Sequence, residues 1–135
     1  MKPLFLDTGY IIALESADDH CHQAAARHWR MLANSLPPLI TTSYVFDEIV
    51  TFFNSRDRHD KAVEIGKNLL ESTRIELIHV DDELFHIGWQ YFLKHRDKTY
   101  SLTDCISFAV MKQRGIKAAL AFDKHFIQAG FNNLP

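Results

Sequence analysis

Residues 4–10 read LFLDTGY, a short apolar run that ends directly at Asp7 and is followed by a turn. Two more short runs, residues 39–42 (LITT) and 118–122 (AALAF), have the same character, and residues 75–80 alternate like a strand. Runs of this kind, bounded by turn residues, are typical of short buried strands. Their alternation with helical patterns predicts parallel βαβ units with right-handed crossovers. The sequence therefore predicts a small three-layer α/β domain with a mainly parallel central sheet.

The helical patterns between these runs carry recognisable end signals. Residues 101–104 resemble a capping box with Asp104 in place of the usual glutamate, and Gly115 should end the helix that follows. Ser43 is the expected cap of an earlier helix. Residues 118–122 are the last strand that the pattern predicts. The remaining predicted helices are a first one starting at Gly9-Tyr10, residues 20–33, residues 60–72, and one capped by Asp81 or Asp82.

An acidic residue lies at the end of a strand or the start of a helix in four separate segments. Asp7 and Asp123 directly follow predicted strands, whereas Glu48 and Asp104 lie near the beginning of predicted helices. Carboxylates in these places face the rim of a parallel sheet, where such folds bind their ligands. Four carboxylates at one rim would repel each other unless cations bound them. The pattern therefore indicates hard divalent metals with oxygen ligands, and phosphate chemistry.

Each acid also has a purely structural explanation. Asp7 and Asp123 are of a type common in turns and at helix starts, and the capping box by itself would account for Asp104. Glu48 could be a surface glutamate, and Asp47 competes with it for the same role, although Glu48 is nearer the apolar face of the helix. The occurrence of all four acids at strand ends or helix starts favours the functional interpretation.

Length and charge limit the possible classes of protein. A chain of 135 residues predicts a single domain over residues 1–135. A net charge of −2 argues against a general nucleic-acid coat but leaves a nuclease possible. No segment approaches the roughly 20 apolar residues of a membrane span, and the N-terminal apolar run is too short for a signal peptide. We therefore expect a cytoplasmic protein that does not enter a membrane.

The cysteines and histidines show no metal-binding spacing. Cys21 and Cys105 are isolated, so we expect two reduced thiols rather than a disulfide. None of the eight histidines has a partner four residues away, and His20 and His22 would not share a helix face. A histidine metal site is therefore not expected.

Four segments follow one another along the chain: residues 4–9, residues 41–48 around the glutamate, residues 102–109 around a Thr-Asp pair, and residues 122–126 with 130–131. In this order they resemble the corresponding segments of PIN-domain ribonucleases, and the likeness is greatest to the VapC-like toxins of bacterial and archaeal toxin–antitoxin pairs. The resemblance spans essentially the whole chain. Two departures are the additional acid Asp47 and the Gly9-Tyr10 start of the first helix.

The resemblance implies a PIN-like α/β/α sandwich and a metal-dependent endoribonuclease. By residue-for-residue matching, Asp7, Glu48, Asp104 and Asp123 would be the catalytic, metal-binding acids. One or two Mg²⁺ or Mn²⁺ ions would activate water for attack on an RNA phosphodiester and leave 5′-phosphate and 3′-hydroxyl ends. Thr8 and Thr103 match the small hydroxyl residues that support these acids. Six basic residues in polar stretches near element ends are candidates for RNA contact: Arg56, Arg58, Lys61, Arg96, Lys98 and Lys124.

Three other functions fit parts of the pattern less well. An aspartic protease needs two Asp-Thr-Gly copies in an almost all-β fold, and this chain has one copy among helical patterns. A haloacid-dehalogenase-like phosphatase normally needs a second aspartate where Gly9 stands. A non-catalytic PIN-type binding module is disfavoured because all four acids are present.

The large aromatic residues on predicted helices suggest assembly. Adjacent helical residues point about 100° apart, so neighbouring aromatics cannot all face one core. Part of this surface should be buried against a partner. The resemblance suggests a homodimer and a small antitoxin protein as partners, beside the RNA substrate. The residues concerned are Trp29, Phe52, Phe53, Trp89, Tyr91 and Phe92.

Overall fold

The computed structural model describes all residues, 1–135, and contains five strands and seven helices. The strands are β1 (Leu4–Leu6), β2 (Leu39–Thr42), β3 (Ile75–Ile78), β4 (Ala118–Leu120) and β5 (Asn132–Leu134). The helices are α1 (Thr8–Glu15), α2 (His22–Ala33), α3 (Ser43–Asn54), α4 (His59–Glu71), α5 (Asp82–Lys94), α6 (Leu102–Arg114) and α7 (Lys124–Gln128). No helix has the length and apolar character that crossing a membrane requires.

The strands form one parallel sheet in the order β3-β2-β1-β4-β5. This arrangement confirms the predicted α/β sandwich and shows that the sheet is parallel throughout. The chain adds β2 and β3 on one side of β1 and then returns to place β4 and β5 on the other side. The strand order therefore reverses between β1 and β4. At such a point the loops after the two strands diverge and leave a crevice at their C-terminal ends.

Burial is greatest around β1 and α6, which lie at the centre of the structure. All three residues of β1 are buried, as expected for a parallel strand covered on both faces. Helix α6 is buried continuously from Asp104 to Met111. Phe108 of α6 packs against Tyr100 and Phe126 with ring centroids 5.1 Å apart in each case. Because α6 is enclosed by its neighbours, the position of its first turn is closely defined.

Several predicted helix ends are confirmed. Ser101 and Asp104 form the capping box at the start of α6, and Gly115 ends that helix in the left-handed conformation with φ of 65°. Asp81 caps α5 by accepting a hydrogen bond from the Leu84 N–H at 2.9 Å. Cys21 and Cys105 are free thiols.

The predicted cap at Ser43 was wrong. Thr42, still extended at the end of β2, caps α3 through its hydroxyl, which accepts from the Val45 N–H at 3.2 Å. The Ser43 hydroxyl instead accepts a hydrogen bond from the Val80 N–H at 2.9 Å. The tertiary contact between α3 and the segment after β3 thus determines which hydroxyl serves as the cap.

Strand β5 was not predicted, because its sequence, Asn-Asn-Leu, lacks an apolar run. It exists through pairing with β4, in which Leu134 lies opposite Leu120. Backbone hydrogen bonds extend the pairing at both ends. The Asn132 N–H donates to Lys117 O, and the Ala121 N–H donates to Leu134 O. The short helix α7 that precedes β5 was also not predicted.

Gly88 lets α5 and α6 approach closely, and this contact can be tested. A Cβ at position 88 would overlap Ile106 Cγ1 and lie 3.3 Å from the Ile106 Cα and N atoms. We expect Gly88→Ala to lower the free energy of unfolding by about 1–3 kcal/mol in urea denaturation, despite the better helix propensity of alanine.

Gly66→Ala in α4 is the matched control. Its Cβ would meet side-chain atoms of Phe46 at 3.3 Å and Val50 at 3.4 Å, which can adjust. We expect a change within about 1 kcal/mol for this variant. Equal effects of the two substitutions would show that the backbone contact at Gly88 does not limit the packing of α5 on α6.

Candidate active site

A polar cleft of about 270 Å³ contains all four predicted acids. It lies where β1 and β4 end, at the point where the strand order reverses. Three larger clefts, of about 470, 450 and 340 Å³, contain none of these acids, and the first two have several apolar residues in their walls. No apolar residue lines the acidic cleft, whose walls are formed by Asp7, Thr8, Gly9, Glu48, Thr99, Ser101, Asp104, Asp123 and His125.

Asp7 reaches the cleft directly from the end of β1. Its backbone N–H donates to Leu120 O of β4 at 3.1 Å, so the sheet itself holds its position. Asp7 is the N-cap residue of α1, yet its side chain makes no capping hydrogen bond. Burial, reinforced by the charge of Asp104, raises the pKa of Asp7 from 3.8 to about 8. The fold thus buries a carboxylate that it does not use as a cap.

Asp104 serves the capping box and the cleft at the same time. Its Oδ2 accepts from the Ser101 N–H at 3.1 Å and lies 2.9 Å from His125 Nδ1. Its Oδ1 has no hydrogen bond within the protein. Burial raises the pKa of Asp104 above its ordinary value, and the charge of Asp123 raises it further. The capping explanation for this aspartate therefore holds without excluding a role in the cleft.

Glu48 lies in the cleft, and Asp47 does not. The Thr8 hydroxyl donates to Glu48 Oε1 at 2.6 Å, which joins the start of α1 to the middle of α3. Asp47 is exposed on α3 and has its Oδ1 3.4 Å from the Thr51 hydroxyl. Thr103 does not line the cleft, and its backbone oxygen accepts from the Ser107 hydroxyl at 2.9 Å. Of the two threonines singled out from the sequence, only Thr8 contacts a cleft acid.

Asp123 and His125 complete the cleft at the start of α7. Asp123 Oδ1 accepts from the His125 N–H at 2.8 Å, and Asp123 Oδ2 lies 3.2 Å from His125 Nδ1. Asn133 of β5 donates from Nδ2 to Asp123 O at 3.0 Å and so fixes the loop from the sheet edge. The potential ligand atoms of Asp104, Asp123 and His125 all lie within 4.8 Å of one another.

His125 was missed because spacing along the sequence gave no pair of histidines. The available signal was its place two residues after Asp123, at the start of a helix. In the first turn of a helix, the backbone N–H of the second or third residue after the cap can donate to the capping side chain. A search for a mixed group of acids and one histidine would have found this residue.

The six basic candidates for RNA contact are dispersed over the surface. Lys61 pairs with Glu15 at 2.8 Å, and Arg56 covers the Phe52 ring with its guanidinium carbon 3.6 Å from the ring centroid. Lys98 lies 3.5 Å from Asp97. Three of the candidates are exposed and form no salt bridge: Arg58, Arg96 and Lys124.

Fold and site together define a class: a parallel α/β domain whose acid-lined cleft at the strand-order reversal can bind a divalent cation. The PIN-domain sequence profile matches residues 4–132. The chain belongs to the PIN-domain family.

Two curated relatives, the 23S rRNA-specific endonuclease VapC20 from two strains of Mycobacterium tuberculosis, are each 38% identical over 128 residues, which is 95% of both chains. The crystal structure of M. tuberculosis VapC20, described as a sarcin-ricin loop cleaving toxin, matches with a TM-score of 0.86 at 36% identity over 95% of each chain. VapBC2 from Rickettsia felis, bound to a promoter DNA fragment, matches with a TM-score of 0.69 at 10% identity, over 98% of this chain and 97% of that one. This last likeness concerns the fold alone.

The raised pKa of Asp7 predicts how stability changes with pH when metal is absent. Between pH 4 and pH 8 the unfolded chain ionises Asp7, whereas the folded chain keeps it protonated. The folded state then holds more protons, so its stability falls as pH rises, by up to about 1.4 kcal/mol per pH unit from this group. Asp7→Asn should remove this contribution. The unfolding free energy of the variant should therefore exceed that of the wild type by an amount that grows as the pH rises to 8.

Urea denaturation in chelator at pH 5, 6, 7 and 8 measures the difference. The exposed Asp47→Asn variant is the control and should follow the wild type at each pH. Parallel stability curves for Asp7→Asn and wild type would contradict the raised pKa of Asp7.

Proposed function

We propose that this protein is a metal-dependent endoribonuclease and the toxin of a toxin–antitoxin pair. The observation that carries the proposal is the convergence of Asp7, Glu48, Asp104 and Asp123 on one cleft, with Asp7 buried and unused as a cap. The identity of 38% across 95% of the chain to a ribosomal RNA endonuclease supports it. A haloacid-dehalogenase-like phosphatase is not supported, since Gly9 lines the cleft and supplies no second acid.

The chemistry assigned to the cleft follows from its donors. A bound Mg²⁺ or Mn²⁺ would supply an activated water and neutralise charge on the transferring phosphate. The four acids offer the oxygen ligands that such ions prefer. Because the pKa of Asp7 is about 8 in the metal-free fold, cation binding would release its proton near neutral pH. Thr8 holds Glu48 in a fixed orientation through the 2.6 Å hydrogen bond.

We propose ribosomal RNA as the substrate class, with 23S rRNA as the first candidate, on the basis of what the VapC20 relatives cleave. The arrangement of charge beside the cleft suits a polyanion. Lys124 lies between the cleft residues Asp123 and His125, and Lys98 directly precedes Thr99. Phosphates held by these lysines would place a neighbouring phosphodiester over the acids. A cytoplasmic location would bring the protein to this substrate.

The cleft assignment can be tested with two neighbouring acids on α3. Glu48→Gln should lower the rate of cleavage of 23S rRNA in purified ribosomes at least about a hundredfold, because it removes a metal-binding charge. Asp47→Asn, one residue earlier and exposed, should cleave like the wild type. Primer extension with and without chelator reports both the cut position and the dependence on metal.

Equal loss of cleavage in both α3 variants would remove the special role of Glu48. Wild-type cleavage that persists in chelator would remove the metal from the mechanism.

We further propose a homodimer that also binds a small antitoxin protein. Phe53 is buried, and Trp29, Phe52 and Tyr91 pack against the core, so only two of the six aromatics noted in the sequence remain largely exposed. Trp89 and Phe92 are 40% and 38% exposed, and their rings are stacked 5.5 Å apart on α5. Exposed apolar area of this kind is typical of an interface, and one face used twice is what a two-fold dimer requires.

Light scattering over a dilution series tests this assembly. We expect a dimer mass for the wild type and a monomer mass for Trp89→Glu, because a charge would be buried without a partner. Met31→Glu, at a residue that is 68% exposed on α2, should remain dimeric. A monomer mass for the wild type at tens of micromolar would exclude the dimer and leave the nuclease untouched.

A further inference from the structure

We infer that His125 is a nitrogen ligand of the metal in the acidic cleft, and that it gives the site a preference for first-row transition ions such as Mn²⁺ over Mg²⁺. This inference rests on the proposed metal-dependent function and concerns the composition of its metal site. Its basis is the position of the imidazole between two carboxylates.

The distances around His125 suit a ligand. Its Nδ1 lies 2.9 Å from Asp104 Oδ2 and 3.2 Å from Asp123 Oδ2. Two ligands at right angles around a six-coordinate ion, each about 2.1 Å from it, are about 3 Å apart. The imidazole nitrogen is therefore already spaced as an adjacent ligand from one oxygen of each carboxylate.

The other ring nitrogen has its own partner. His125 Nε2 lies 3.0 Å from the Thr99 hydroxyl. A metal-binding histidine almost always donates its second N–H to an oxygen, which fixes the tautomer and the ring orientation. With the proton on Nε2 and Thr99 accepting, the lone pair of Nδ1 faces Asp104 and Asp123.

Packing holds the imidazole in this orientation. The Tyr100 ring meets it edge-on, with centroids 5.3 Å apart and planes at 84°. The His125 side chain is only 15% exposed, so it is enclosed before any ligand arrives. An imidazole nitrogen and carboxylate oxygens grouped this closely are donor atoms that a metal ion could bind. The alternative is an ordinary hydrogen bond from the Nδ1–H of a neutral imidazole to Asp104, which needs no metal.

The two possibilities have different chemical consequences. If Nδ1–H donates to Asp104, His125 only positions this aspartate and the metal site is made of oxygens. With the metal, one ligand is an imidazole, which first-row transition ions accept more readily than Mg²⁺ does. Mg²⁺ prefers oxygen ligands and retains its waters. A nitrogen ligand in the cleft therefore predicts selectivity that carboxylates alone would not provide.

Electron spin-echo spectroscopy of the Mn²⁺-loaded protein tests the ligand directly. We expect the wild type to show ¹⁴N modulation from a coordinated imidazole, and His125→Asn to lose it. His20→Asn is the matched control, because Asp19, His20 and Cys21 form the other group of close ligand atoms. This control should keep the modulation. Modulation that vanishes in His20→Asn and persists in His125→Asn would overturn the inference.

Metal titration provides a second readout that does not depend on cleavage. His125→Asn should bind Mn²⁺ at least about tenfold more weakly, while its affinity for Mg²⁺ changes less than about threefold. Thr99→Val keeps the imidazole but removes the partner of Nε2, and should also weaken Mn²⁺ binding by about tenfold. It preserves the test if His125→Asn does not fold. Equal losses for both metals, or none, would show that His125 only positions Asp104.

The nuclease activity and the role of His125 as a ligand can be tested separately. Absence of RNA cleavage by the wild type with either metal would defeat the proposed function. Cleavage with no ¹⁴N modulation would defeat only the role of His125 as a ligand.

Discussion

Repulsion among carboxylates at the end of β1 is the constraint on which the rest of the site depends. Asp7 is buried beside the charges of Asp104, Asp123 and Glu48, and each of these raises its pKa. A fold that places acids this way is destabilised at neutral pH unless a proton or a cation compensates. The same arrangement that destabilises the fold without a cation would strengthen the divalent-ion binding that we propose. Stability and the proposed metal binding therefore depend on the same electrostatic arrangement.

The scaffold keeps these acids in place by giving two of them structural partners as well. Asp104 closes the capping box of α6, and Asp123 caps α7. Asp7 has no such partner, and its position comes from the register of β1 against β4. Glu48 is held by the hydroxyl of Thr8. The four acids thus line one cleft although each is held in a different way, which explains why no single short motif predicts the cleft.

The reversal of strand order between β1 and β4 determines where the cleft opens. A sheet that grew in one direction only would carry the ends of β1 and β4 to separate places along its edge. Because the chain returns to pair β4 with β1, Asp7 and Asp123 line the same cleft although they are 116 positions apart in the sequence. The first turn of the buried helix α6 then adds Asp104 to the same cleft.

The sequence alone predicted the fold class, most element positions, the capping box at Ser101 and the placement of four acids at strand ends or helix starts, because these depend on local patterns of apolar residues and on end signals. It also favoured Glu48 over Asp47, since helical spacing places Glu48 nearer the apolar face. Tertiary structure decided what local patterns do not contain. Strand β5 exists only through its pairing with β4, and the cap of α3 is Thr42 because Ser43 bonds to Val80. The place of His125 in the cleft was likewise decided by tertiary structure, because its ring is positioned by Thr99, Tyr100 and Asp104, which lie more than twenty residues before it in the chain.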